Sequence, residues 1–130
     1  MILLDTHIWI RWLLPTDPLP PTLIEQIEQA DAVCISSISC WEATMLEKKQ
    51  RIALPLPIKD WLEEATQCSN VDVLPITCEI SQLSGTLPEH HKDPADRIII
   101  ATSIIHDLQL MSLDGYFPDY QELSGRLITR

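Results

Sequence analysis

Short apolar strands alternating with helices mark this chain as an α/β protein with a parallel sheet covered on both faces. Three features carry that reading. The strand candidates are near-continuous apolar runs of the kind buried on both sides: ILLD at 2–5, AVCIS at 32–36 and LQLMS at 108–112. Helical segments separate the strands, as crossovers between parallel strands require. Prolines cut the chain between elements, most clearly in PTDPLPP at 15–21 and LPLP at 54–57.

Taken in order, the first strand ends in Asp5. A helix at about 7–14 carries Trp9 and Trp12 at i and i+3, a spacing that assigns both to the core, with an interface surface as the alternative. A helix at about 20–30 starts on proline and places Leu23, Ile24 and Ile27 inward. The strand at 32–36 leads into a helix at about 37–51. IKDWLEEATQ is another helix, VDVLP at 71–75 a short strand, and a further helix spans about 77–86. The apolar segment from about 94 to 107 is helical, the strand at 108–112 follows, and the terminal RLITR is a candidate last strand. In such sheets ligands collect beyond the carboxyl ends of the strands.

The 130 residues suit one domain, 1–130, with one core. No apolar run approaches the ~18 residues that cross a bilayer. The N-terminal MILLDTHIW lacks the basic region and cleavage site of a signal peptide, so no membrane association and a cytoplasmic location are expected. Cys34, Cys40, Cys68 and Cys78 show no C-x-x-C spacing and read as reduced packing residues. The net charge is −10, from 19 acidic and 9 basic residues, which argues against a general nucleic-acid binder. An acidic cleft that concentrates divalent cations, or receives a basic partner, is compatible with it.

Several acidic residues break the apolar pattern. Asp5 ends a buried strand, either as the N-cap of the next helix or as a group facing the carboxyl edge; Thr6 is equally able to cap. Glu42 falls within a stripe of Ile38, Trp41, Met45 and Leu46, where a carboxylate needs a cation, a proton or a buried partner such as Arg97. In HKDPADRIIIATSII, Pro94 is the first residue of a helix and Asp93 its N-cap. Asp96 shares a face with Ile99, Ile100, Ser103 and Ile104, so Asp93 mainly starts the helix and Asp96 mainly serves a site, with Asp93 an added outer contact. Ser112 ends a strand, and Asp114 before Gly115 is either an ordinary Asp-Gly turn or a further oxygen ligand. Gathered carboxylates need a compensating cation, and hard oxygen donors without Cys or His select Mg²⁺ or Mn²⁺. Such a site suits phosphoryl chemistry.

The stretches LLDTHIWIRWL, SSISCWEATMLEKKQRIAL and LPEHHKDPADRIIIATS…LQLMSLD resemble, in order and over nearly the whole chain, the PIN domain, in particular the VapC-type toxins of toxin–antitoxin pairs. The resemblance implies a three-layer α/β/α sandwich around a mainly parallel sheet. It implies a Mg²⁺-dependent endoribonuclease, with Mn²⁺ able to substitute, usually dimeric and neutralised by a cognate antitoxin. The family's acidic positions fall on Asp5, Glu42, Asp96 and the less constant Asp114, with Asp5, Asp96 and Glu42 as metal ligands. Ser112 stands at a place usually held by Thr or Ser, and Asp93 matches the family's HxDPxDR segment. Ala95 departs from a common aromatic, and Gln50 from a common glycine.

The basic residues are Arg11, Lys48, Lys49, Arg51, Lys59, Lys92, Arg97, Arg126 and Arg130. Lys48, Lys49 and Arg51 read first as solvated charges complementing a helix end. With Lys92 they are the candidate RNA contacts. Metals among the carboxylates would offset the acidity locally. A basic or Arg-bearing C-terminal antitoxin segment would be attracted to the same carboxylates. His90 and His91 read as loop residues with local hydrogen bonds, with phosphate contact or proton transfer as the alternative. Two other classes compete. One is another Mg²⁺-dependent phosphohydrolase using Asp5 as nucleophile, against which His7 stands where a second aspartate is wanted. The other is a non-catalytic metal-binding adaptor domain.

Overall fold

The structure, a computed structural model, describes residues 1–129, apart from the side chain of Cys68. The strands are β1 (Ile2–Leu4), β2 (Val33–Ser36), β3 (Val71–Leu74), β4 (Gln109–Met111) and β5 (Leu127–Ile128). They form one sheet in the order β3-β2-β1-β4-β5 in which every pairing is parallel. The candidate strand at 126–130 is thus real but short, and Arg130 lies outside the described residues.

The helices are α1 (Thr6–Leu13), α2 (Pro21–Gln29), α3 (Ser37–Lys48), α4 (Ile58–Glu63), α5 (Cys78–Thr86) and α6 (Pro94–Ile105). A π-turn at Glu64–Cys68 extends α4. They cover both faces of the sheet, and strand alternation sorts the core accordingly. Ile2, Leu4, Val33, Ile35 and Met111 pack on one side with residues of α1, α2 and α4. Leu3, Cys34 and Leu110 pack on the other with Ile80 of α5 and Ile99, Ile100 and Ala101 of α6. This is the expected three-layer arrangement. Trp9 is fully buried and sits 5.3 Å from Trp61, ring centre to ring centre, while Trp12 is partly buried against the same cluster.

The stripe expected on α3 is corrected. Its buried residues are Ser39 and Ala43, and Trp41 is 56% exposed. Apolar spacing pointed to Trp41 because both faces of α3 carry apolar residues: Ala43 joins one core cluster and Ile38 borders the other. Cys34 is buried, Cys40 half-buried and Cys78 exposed, all as free thiols; Cys68 falls outside the description. Burial pushes the Cys34 thiol up to about 11, as suits an inert packing residue.

Register places the site. The Asp5 N–H donates to Met111 O at 3.1 Å, and the Ser112 N–H to Ile128 O at 3.1 Å, so the residues just after β1 and β4 lie side by side at the carboxyl edge. Ser36, the last residue of β2 and the N-cap of α3, starts the helix that brings in Glu42.

Candidate metal centre

Asp5 does both things its position allowed. Its Oδ1 accepts the Ile8 N–H at 2.9 Å as the N-cap of α1, and its Oδ2 accepts the Ser112 hydroxyl at 2.5 Å. Thr6 does not cap. Its hydroxyl bonds the Glu42 carboxylate and shares a 2.8 Å contact with the Ser39 hydroxyl. Glu42 is thereby held against α1, half-buried, one turn beyond Ser39.

Asp93 caps α6 through the Ala95 N–H at 2.9 Å, as Pro94 at the helix start predicts. Asp96 lies in the first turn of α6 with its side chain 14% exposed. Asp114 is also bifunctional: Oδ1 accepts the Tyr116 N–H at 2.8 Å in the turn, while Oδ2 faces the centre. The Asp114 N–H donates to the Ser112 hydroxyl at 3.0 Å, so one serine links Asp5 to Asp114.

Charge crowding follows. Burial pushes Asp96 up to about 8, and the negative neighbours Asp93, Glu42, Asp114 and Asp5 add to the rise. Burial likewise pushes Asp5 up, opposed by its bonds from Ser112 and Ile8. Glu42 is raised by burial too, opposed by the Thr6 hydroxyl and helped by Asp93 and Asp5. Among the described residues no lysine or arginine pairs with Asp5, Glu42, Asp96 or Asp114. The alternative partner for Glu42 is corrected as well. The Arg97 guanidinium bonds the carbonyls of Ser84, Leu87, Pro88 and His91, so it braces the chain between α5 and α6. Crowded, unneutralised carboxylate oxygens are the donor set a hard divalent cation requires.

The tightest grouping differs from the expected ligand set. Donor atoms of His91, Asp96 and Asp114 lie within 4.8 Å of one another. Asp5 and Glu42 adjoin them with oxygens already engaged by Ser112 and Thr6. His91 makes the expected local bond, accepting the Asp93 N–H at Nδ1 at 3.2 Å, but its other nitrogen reaches the carboxylates. Its Nε2 lies 2.9 Å from Asp96 Oδ2 and 3.0 Å from Asp114 Oδ2. His90 keeps the loop role, exposed and edge-on to Tyr120 at 4.9 Å.

The sequence matches the PIN domain over residues 2–123. The chain belongs to the PIN domain family. It is 32% identical to Ribonuclease VapC22 of Mycobacterium tuberculosis over 114 residues, covering 87% of this chain and 86% of that one. Its fold is shared with a toxin–antitoxin complex from Klebsiella pneumoniae at TM-score 0.65 and 22% identity, over 99% of this chain and 97% of that one. FitAcB from Neisseria gonorrhoeae matches at TM-score 0.65 and 20% identity, over 98% and 96% of the two chains.

In this PIN domain the candidate RNA contacts lie apart from the carboxylates' own bonds. Lys48 and Lys49 are exposed at the end of α3, and Lys92 is exposed beside His91. Arg51 shares a groove of about 380 Å³ with His7, Arg11 and Leu46. No helix among the described residues is long and apolar enough to cross a membrane.

Proposed function

We propose that this PIN domain is a Mg²⁺-dependent endoribonuclease, with Mn²⁺ able to substitute, that cleaves single-stranded or structured RNA as the toxin of a toxin–antitoxin pair. The observation that carries the reading is the gathering of Asp5, Glu42, Asp96 and Asp114 at one sheet edge, with Asp5, Glu42 and Asp96 raised in pKa and no lysine or arginine paired with any of the four among the described residues. Similarity to Ribonuclease VapC22 supports the reaction, and the toxin–antitoxin complex among the structural relatives supports the partner.

Asp5, Glu42 and Asp96 would hold a divalent cation, which when bound would supply Lewis-acid activation of water and charge stabilisation at the phosphate. The chain does the positioning. Ser112 and the Ile8 N–H keep Asp5 in one orientation, and Thr6 does the same for Glu42. Asp114, tied by its own turn, directs Oδ2 inward to orient the attacking water or accept its proton. Lys92, Lys48, Lys49 and Arg51 contact the RNA backbone. The antitoxin presents a basic or Arg-bearing C-terminal segment whose guanidinium occupies the carboxylate cluster. The protein acts in the cytoplasm as a homodimer, for which exposed Trp41 offers apolar surface.

The test is incubation of purified protein with a mixed RNA pool and Mg²⁺ or Mn²⁺, beside Asp5→Ala, Glu42→Ala and Asp96→Ala. Cleavage by wild type and loss in all three is expected; equal cleavage by all four proteins rejects the assignment. RNA affinity that is undiminished in EDTA rejects the metal-centred account of substrate binding.

A further inference from the structure

We infer that His91 is a positioning residue of the metal centre: an Nε2–H donor that fixes Asp114 and lies against Asp96 without itself ligating the cation. For what the carboxylates do, this rests on the proposed function; the geometry does not.

The ring has two nitrogens and each has a different neighbour. Nε2 hydrogen-bonds Asp114 Oδ2 at 3.0 Å and lies 2.9 Å from Asp96 Oδ2. On the other side, the Asp93 backbone N–H donates to Nδ1 at 3.2 Å. A nitrogen that accepts a hydrogen bond carries no proton, so the ring proton sits on Nε2. That tautomer gives Asp114 a donor. It denies a cation the Nε2 lone pair, although distance alone makes His91, Asp96 and Asp114 look like a ligand trio. Ligation through Nε2 would place a proton on Nδ1 facing the Asp93 N–H, donor against donor.

The ring is held on every side. It packs 5.1 Å from Tyr116 and 6.1 Å from Phe117, ring centre to ring centre. The His91 N–H donates to the Tyr120 hydroxyl at 2.9 Å, and Arg97 donates to the His91 carbonyl at 3.1 Å. Arg97 is next in sequence to Asp96, so the helix that carries one carboxylate also fixes the histidine beside it. Ligand carboxylates oriented by an outer hydrogen-bond donor bind their metal more tightly, commonly by 10- to 100-fold.

Long-range ¹H–¹⁵N NMR of the full chain reads the tautomer directly, with His91 assigned by its disappearance in His91→Gln. Protonated Nε2 and bare Nδ1 are expected, both metal-free and with saturating Mg²⁺. A proton on Nδ1, or an Nε2 that loses its proton when Mg²⁺ binds, overturns the inference. Calorimetric Mg²⁺ titration adds a second readout. His91→Ala should weaken Mg²⁺ binding by about tenfold. His91→Gln, whose amide N–H replaces Nε2–H, should stay within about threefold of wild type. Unchanged affinity in the alanine variant, or equal losses in both, overturns the inference. Should His91→Ala not fold, the wild-type tautomer decides alone. Neither measurement uses RNA, so failure of the ribonuclease reading appears only in the cleavage assay.

Discussion

The hydroxyl of Ser112 donates to Oδ2 of Asp5 across 107 positions of the chain, and accepts the Asp114 N–H in turn. One fully buried serine thus joins a carboxylate after β1 to a carboxylate after β4. Ser112→Ala leaves a buried carboxylate oxygen and a backbone N–H without that partner. Loss of about 1–3 kcal/mol of folding stability is expected. Urea unfolding in EDTA measures it, and a change below about 0.3 kcal/mol would show that water replaces the hydroxyl at no cost.

Asp96 is retained against stability. Burial and four negative neighbours oppose its charge in the metal-free protein. Asp96→Asn removes that charge and keeps a carbonyl oxygen. The variant should melt higher than wild type in EDTA, by a few °C for about 1 kcal/mol, and should lose most of the further rise that wild type gains from Mg²⁺. A lower melting temperature in EDTA would contradict the crowding argument.

The same group sets a pH dependence. Asp96 titrates at about 8 when folded, against an ordinary 3.8. Between those values the folded protein keeps a proton that the unfolded chain has released, so stability falls as pH rises through the window and levels off above it. Asp5 and Glu42, also raised, act in the same sense. Thermal melts in EDTA should therefore drop from about pH 5 to about pH 8, and Mg²⁺ should remove most of the drop. A flat profile in EDTA would contradict the raised values.

Gln50 occupies a left-handed backbone position, φ 59°, just past the end of α3. Its N–H reaches Glu47 O at 2.9 Å and the Arg51 N–H reaches Leu46 O at 2.8 Å, the double bond that closes a helix on glycine. Gln50→Gly relieves the Cβ conflict, partly offset by a more flexible unfolded chain. A gain of about 0.5–1 kcal/mol in urea unfolding is expected, with Mg²⁺ affinity unchanged. A loss of stability would mean that Gln50 makes compensating contacts.

Much of this protein was legible from local pattern. Apolar runs located four of the five strands, and a proline after Asp93 located the start of α6. A strand ending in Asp5 pointed to the carboxyl edge. These follow from periodicity and capping, which act over a few residues. Where two local roles competed, the sequence left them open. Asp5 and Asp114 each satisfy both, one oxygen for the backbone and one for the centre. For Thr6 as a cap and Arg97 as a partner of Glu42, the alternatives left open do not hold, because their partners lie on other elements. Trp41 was placed inward because both flanks of α3 are apolar, and only the order of the layers tells which flank faces out. His91 stands at the histidine of the HxDPxDR segment, but nothing local named its partners. Its place between Asp96 and Asp114 is set by the β4 register and by the path of the loop around Arg97, and both depend on packing between segments far apart in the chain.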